Sequence, residues 1–310
     1  MLPTGQAHNR RTDESVVGTR SRPPVAEHAD AILRDVSMSS QWRLFVERRI
    51  ALPVADADLV LDVGSGDKPS WRADVLLDRY TGADYASQRS GRASARVSRP
   101  LFDADAADMP FADGVFDYAV CSNLLEHVPD PVGVAAELTR VARAGYIEVP
   151  EAGSAKIVDF PSHLWWCRLD ESDPAGPTLV MTAKTTPYFD AEIDAYINRA
   201  GVRRALDDVL NSNFEHRVVQ LHWTDAVRLR TVGELDPAFV DQAMVTGWHQ
   251  RTWETVAVQG VTSMLTARTR MRRRGVRVHY NDIVKPEHRL ADNPVLEPRI
   301  YRVDEPADRT

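Results

Sequence analysis

The chain has 310 residues, 43% hydrophobic and 27% charged, a composition that suits a globular protein with a full buried core. Its net charge of −7 argues against a nucleic-acid partner, because phosphate recognition wants a clustered positive surface. No apolar run approaches the roughly 18–20 residues that span a bilayer, so no membrane segment is expected.

Residues 1–25 carry Thr, Ser, Arg and the Pro23-Pro24 pair without periodicity and read as a flexible tail. They lack the apolar segment of a secretory signal. The two cysteines, Cys121 and Cys167, have no metal-ligand spacing, so reduced thiols in a cytoplasmic protein are expected. From Glu27 to Ile50, Ala31, Ile32, Val36, Trp42, Phe45, Val46 and Ile50 recur at a spacing that predicts one or two amphipathic helices. Short apolar strands follow at Asp58–Val63, Asp74–Leu77, Phe116–Cys121 and Gly145–Val149, with a helix over Pro131–Ala142 before the last. Strands alternating with helices predict an α/β fold with a parallel sheet.

After Pro150 the pattern changes. "HLWWCRLDE" and "TLVMTAKT" are strand-like and flank Asp173-Pro174-Ala175-Gly176-Pro177, which predicts a hairpin-like excursion. Phe189–Leu210 reads as helix, Phe214–Trp223 as strand, Pro237–Arg274 as mostly helix and Val276–Asp282 as a last strand. The basic run Arg268–Arg277 closes the long helical segment, where cations complement a helix dipole. Residues 152–284 are thus expected to form a helical and β-hairpin cap together with the last strands of the sheet. Residues 285–310, rich in proline and charge, are expected to lie over the surface.

The residues that carry chemistry stand in the first half. In "VLDVGSGDKP", Gly64 and Gly66 let backbone turn sharply and approach a ligand, and Asp62 sits near the carboxyl end of its strand. In open α/β sheets that end is where ligands bind. Asp78 closes "ADVLLD", where a carboxylate can accept both hydroxyls of a ribose. Asp105 lies in "DADAADMPFADGVFDYAV", where it could receive the amino group of an adenine. A nicotinamide dinucleotide would want a third glycine opening a helix, and Pro69 stands in its place.

"VLDVGSG", "DADAADMPFADGVFDYAVCSNLLEHVPDP" and "AAELTRVAR" together resemble class I S-adenosylmethionine-dependent methyltransferases of the small-molecule type, over about Leu59–Glu151. The resemblance implies a Rossmann-like, seven-stranded, mostly parallel sheet with helices on both faces and one antiparallel strand near its edge. Residues 26–151 would be the cofactor-binding core. Asp62, Gly64, Ser65 and Gly66 would surround the methionine part of S-adenosylmethionine and Asp78 its ribose. Asp105 and Ala106 would hold the adenine, and Ser122, Asn123 and His127 would border the methyl group.

The sequence also departs from the family. Sixteen residues separate Asp62 from Asp78, with Pro69 and Trp71 between, so the first helix must be shortened or replaced by a loop. Asp74 and Asp84 stay as alternatives for the ribose. Of the glycines that usually precede the fifth strand, "ARAGY" keeps Gly145.

For catalysis the candidates are His127 in "NLLEHVPD" and His163 in "DFPSHLWWC", since an imidazole can take a proton from a hydroxyl or an amine near neutral pH. Glu126 and Glu151 are further polar candidates, and Tyr188 and Asp190 carry no rank. Aromatics at Trp165, Trp166, Tyr188, Phe189, Trp223, Trp248 and Trp253 could stack on an acceptor or fill the core. No compact carboxylate set is committed to a metal, so none is expected. The reading is methyl transfer to an O or N atom of a small molecule by in-line displacement, the molecule being a sugar, amino sugar or secondary metabolite. An inactive methyltransferase-fold partner protein and a nicotinamide-dependent oxidoreductase or epimerase are the alternatives. Long helices in the second half could pair two subunits as a homodimer.

Overall fold

The computed structural model describes residues 40–82, 94–186, 191–245, 252–273 and 277–303. Its centre is β1 (Val60–Val63), where every residue is buried. Around it stand β2 (Val75–Asp78), β3 (Leu101–Asp103), β4 (Tyr118–Ser122) and β5 (Ala144–Pro150). With β8 (Val218–Thr224) and β10 (Ile300–Tyr301) they form one seven-stranded sheet in the order β10-β3-β2-β1-β4-β5-β8. All its pairs are parallel except β5 with β8, so the antiparallel strand is itself an edge. This is the expected α/β, Rossmann-like sheet.

Alternation sends neighbouring side chains to opposite faces. Leu61 and Val63 join the larger core with Phe102, Phe111, Leu138 and Ile147, while Val60 packs with Tyr118, Val120 and Tyr146 on the other side. Covering both faces explains why the central strands read as unbroken apolar runs rather than as alternating ones.

The helix between β4 and β5, Pro131–Val141, shows how local sequence sets an element. Asp130 accepts the Gly133 amide at 2.8 Å, and Pro131 at the first position has no amide to leave unsatisfied. Val134, Leu138 and Val141 then fall on one face and are buried. At about 1.5–3 kcal/mol for each large apolar side chain removed from water, that stripe outweighs the weak propensity of the segment's valines.

Residues 152–284 contribute β8 to the main sheet and build a second sheet. There β6 (Trp165–Asp170) pairs antiparallel with β7 (Thr178–Ala183), and β9 (Leu229–Val232) adds parallel to β7. The expected hairpin is therefore present. Phe189–Leu210, read as one helix, is instead two, Ala191–Arg199 and Arg203–Ser212. They break at Gly201, which takes φ +68°, a left-handed conformation that glycine adopts without cost.

Other expectations need correction. Of the expected strand Val276–Asp282, Val276 lies outside the described residues and 277–282 form no strand: the short helix Tyr280–Ile283 occupies its end, and His279 makes an isolated bridge to Val295. The 285–310 segment is not confined to the surface, because Ile300 and Tyr301 pair with Leu101 and Phe102 as an edge strand. Tyr301 stacks on Phe102 with ring centroids 5.2 Å apart. Both β3 and β10 are too short to carry an alternation signal, and their pairing joins residues some 200 positions apart. Residues 1–39 lie outside the described set, and so do the expected tail and the first part of the Glu27–Ile50 segment. Its last turns form a helix at Ser40–Arg49. No helix among the described residues is long and apolar enough to cross a membrane.

Candidate active site

Six parallel strands bring their carboxyl ends to one edge, where Asp62, Asp78, Asp105, Asn123 and His127 stand at or just past the ends of β1, β2, β3 and β4. After Val63 the chain makes a tight turn. Gly64 takes φ +75° and Gly66 φ +50°, both left-handed. A Cβ on Gly64 would stand 2.9 Å from the Leu124 side chain, so this glycine also lets the loop after β1 press against the loop after β4. A Cβ on Gly66 would find nothing closer than the Gly64 carbonyl at 4.0 Å, and there the requirement is conformational. Between them the Ser65 side chain is buried, and its hydroxyl has no hydrogen-bond partner among the described residues.

No helix follows this turn. Residues 64–74 run as turns and loop to β2, which fits the sixteen-residue spacing and Pro69. The replacement has a consequence: the Ser70 amide, just after the proline, donates to Asp62 at 2.6 Å. Burial pushes the Asp62 carboxyl up to about 7, the Ser70 amide opposes that shift, and the negative charge of Asp78 adds to it.

Asp78 sits where β2 ends. Its two carboxylate oxygens accept the Gly66 amide at 2.8 Å and the Tyr80 amide at 2.9 Å, tying the end of β2 to the glycine turn. The alternative Asp74 lies at the opposite end of β2, ion-paired to Arg72 at 3.0 Å and Arg273 at 2.6 Å, away from this edge. Asp84, like Tyr188, Phe189, Asp190 and Trp248, lies outside the described residues. Asp105, past β3, accepts its own turn's Ala107 amide at 2.9 Å and pairs with Arg79; both side chains are exposed. Ala106 beside it is buried.

After β4, Asn123 adopts φ +55°, a conformation that non-glycine residues visit rarely and asparagine more readily than most. Its backbone amide donates to the Glu148 carbonyl at 2.8 Å and its side-chain amide donates to the Ser122 hydroxyl at 3.1 Å. Behind them Glu148 is buried within β5. Its carboxylate accepts both the Arg48 guanidinium, at 2.6 Å from Nε, and the Tyr146 hydroxyl at 2.6 Å. Burial alone would raise this carboxyl; the guanidinium outweighs burial and holds it below the usual range. Sequence reading missed Glu148 and Arg48, although a glutamate inside the apolar strand "YIEVP" was a signal that something cationic must cover it.

The next turn, Leu125–His127, meets the loop that precedes β6. The Leu164 amide donates to the Glu126 carbonyl at 2.7 Å, and Trp165 Nε1 donates to the Val128 carbonyl at 2.8 Å. This docking brings His163 against His127, rings edge-to-face with centroids 4.7 Å apart. His127 Nδ1 stands 3.0 Å from the Ser162 carbonyl, which can only accept, so Nδ1 carries the proton and Nε2 offers a lone pair. That lone pair lies 4.0 Å from Glu126 Oε1.

Glu126 is fully buried, and neither carboxylate oxygen has a hydrogen-bond partner among the described residues. Burial raises its carboxyl to about 8, with the charge of Glu148 adding to the effect. Burial lowers His127 to about 4 against the bond to Ser162, and lowers His163 further; the Lys184 charge helps in both cases. Both imidazoles are therefore neutral at pH 7. Lys184 is itself buried, paired with Asp159 at 2.6 Å and set over the Trp166 ring at 4.4 Å. Glu151 is a helix cap instead of a pocket group, accepting the Gly153 and Ser154 amides. Trp165 and Trp223 are core residues.

The chain resembles known proteins over this region. The methyltransferase domain family matches residues 61–147. An uncharacterized methyltransferase of Mycobacterium sp. strain KMS is 39% identical over 95 residues, 29% of this chain and 36% of that protein. The match to the mycobacterial relatives thus spans about a third of their length. The ubiquinone/menaquinone biosynthesis C-methyltransferase of Desulfotalea psychrophila is 31% identical over 202 residues, 61% of this chain and 80% of that protein. Among solved structures, the [4+2]-cyclase SpnF overlaps 60% of this chain and 80% of its own at 16% identity, TM-score 0.30. A possible histamine N-methyltransferase from Thermotoga maritima overlaps 31% and 44% at 19% identity, TM-score 0.24.

Proposed function

The chain belongs to the class I S-adenosylmethionine-dependent methyltransferases, and we propose that it transfers a methyl group to an O or N atom of a small molecule such as a sugar, amino sugar or secondary metabolite. The observation that carries this reading is the turn after β1. A buried carboxylate, a partnerless buried hydroxyl and two left-handed glycines meet at the ligand-binding edge of the sheet. This cradle fits a cationic cofactor, because a positive group beside Asp62 would offset the desolvation that holds its carboxyl near 7.

S-adenosylmethionine supplies an activated methyl group on a sulfonium, so the protein need not create an electrophile. In our reading Asp62, Gly64, Ser65 and Gly66 hold its methionine part, and the Asp78 carboxylate takes the ribose. Asp105 and Ala106 border the adenine, with Arg79 moving aside or covering that edge. Ser122 and Asn123 shape the methyl-facing wall, the strained Asn123 backbone fixing the end of β4.

The acceptor sits against His127, whose side chain is one-quarter exposed while Glu126 behind it is sealed. His127 Nε2 receives the proton the acceptor loses, with the Glu126 carboxyl group 4.0 Å from it. His163, edge-on to His127, keeps the imidazole in place. Water is scarce in such a pocket, which favours attack by a positioned acceptor over hydrolysis. Both cysteines are buried and free, in keeping with a cytoplasmic enzyme.

A carbon acceptor is the second reading, favoured by the relative of 31% identity that is named a C-methyltransferase. Equilibrium binding of S-adenosylhomocysteine tests the shared premise of both readings. Saturable binding that weakens on Asp62→Ala supports it, and absence of binding ends it. Product analysis with a panel of hydroxyl, amine and electron-rich ring acceptors separates the two.

A further inference from the structure

We propose that Glu126, His127 and His163 form a binding site for one divalent first-row transition-metal ion of the zinc class. One ligand atom from each residue lies within 4.8 Å of the others, and this is the one such set among the described residues. Proximity alone would mean little; two further features point to a cation. The first is the Glu126 carboxyl group, fully buried, with both oxygens lacking a hydrogen-bond partner among the described residues. A buried carboxylate left so is costly, and a coordinated cation satisfies it.

The second is the tautomer of His127. Its Nδ1–H donates to the Ser162 carbonyl, so the Nε2 lone pair faces the Glu126 carboxyl group, 4.0 Å from Oε1. A backbone carbonyl that fixes one ring nitrogen so that the other can bind metal is the usual outer support of a metal-bound histidine.

The donor set selects the ion. Two imidazoles and one carboxylate suit zinc, iron, cobalt or nickel, whereas calcium and magnesium want oxygen throughout. The charged groups that act on the site are themselves paired, Lys184 with Asp159 at 2.6 Å and Glu148 with Arg48. Around zinc, ligand atoms at about 2.0–2.1 Å from the metal stand about 3.3 Å apart, so loading draws the three groups inward. His127 can follow, being the partly exposed member. A three-ligand site leaves a coordination position open, on the one-quarter-exposed side of His127. A bound ion takes the His127 Nε2 lone pair, so metal binding and the base role of His127 are alternatives, and the site itself stands without the methyl-transfer reading.

The test uses the full chain stripped by a chelator. Zinc chloride is titrated by calorimetry, and cobalt(II) chloride by the visible d–d bands of the bound ion. One ion per chain is expected, with affinity at least tenfold weaker in Glu126→Gln and His163→Gln and unchanged in His216→Gln. Should Glu126→Gln fail to fold, His127→Gln at its partly exposed position decides. Absence of stoichiometric binding, or affinity untouched by these pocket variants, overturns the proposal. S-adenosylhomocysteine binding is measured on the same samples. Its loss in the parent chain would end the methyltransferase reading while leaving the zinc result to stand.

Discussion

The glycine turn after β1 and the histidine pocket after β4 lie on the same edge of the sheet, yet they treat polar groups in opposite ways. In the turn, Asp62 and Asp78 are satisfied by amides of the adjoining loops, from Ser70, Gly66 and Tyr80. In the pocket, the Glu126 carboxyl oxygens have no hydrogen-bond partner among the described residues, and Oε1 stands 4.0 Å from His127 Nε2. The turn is built from a stretch of sequence under twenty residues long, while the pocket joins residues 36 positions apart through the Leu164 backbone amide and the Trp165 indole. A site made of local contacts can preorganise its own hydrogen bonds. One assembled by docking two loops can leave donors out, and such a gap invites a ligand.

The largest effect should come from the pocket's support. Lys184→Met leaves Asp159 as an uncompensated buried charge and should cost about 3–5 kcal/mol in urea unfolding. Lys184→Met combined with Asp159→Leu should recover most of that loss. If the single variant is harmless, the pocket is not held by this pair.

Next is Gly64→Val, which puts a side chain at φ +75° and against Leu124. About 2–4 kcal/mol should be lost, together with S-adenosylhomocysteine binding, and adding Leu124→Ala should restore part of the stability. An unchanged affinity would mean that the turn is not the cofactor cradle.

Asp62→Asn isolates charge from shape, because its oxygen can still accept the Ser70 amide. S-adenosylhomocysteine affinity should fall by roughly tenfold to a hundredfold, the equivalent of about 1.4–2.8 kcal/mol. The ligand-free chain should respond the other way. The Asp62 carboxyl is raised from 3.8 to about 7 on folding, so its contribution to stability is present below pH 4 and is lost as pH rises through 7. Melting temperatures between pH 5 and 8 should therefore fall less steeply in Asp62→Asn than in the parent.

The smallest effect is expected at Asn123. Asn123→Gly should change stability by under about 1 kcal/mol, since glycine accepts φ +55°, and Asn123→Ala should cost about 1 kcal/mol more than glycine does. A larger loss in the glycine variant would reveal that the bond to the Ser122 hydroxyl matters more than the backbone.

The turn was legible because its signals are local. Two glycines at positive φ, an acid two residues before the first, and a proline that forbids a long helix all lie within ten residues. Even so, sequence did not reveal that the loop replacing the helix would deliver the Ser70 amide to Asp62. His127 and His163 were both singled out, but nothing in their spacing required their rings to meet. Glu126 ranked low because a glutamate beside a turn is ordinarily solvated. Its weight comes from complete burial, which the chain achieves by laying the loop before β6 across it. Arg48 and Glu148 were overlooked for the same reason, being partners 100 positions apart.

By itself, then, the sequence determined the parallel sheet, the turn at its carboxyl edge and the family, since apolar periodicity, glycine conformation and strand-end acids act over a few residues. Tertiary structure decided the rest. It placed β10 beside β3, cut the 189–210 helix at Gly201, and made one pocket of Glu126, His127 and His163. Those outcomes depend on which distant surfaces bury one another and which polar atoms they leave without partners, and no local pattern in the chain encodes that.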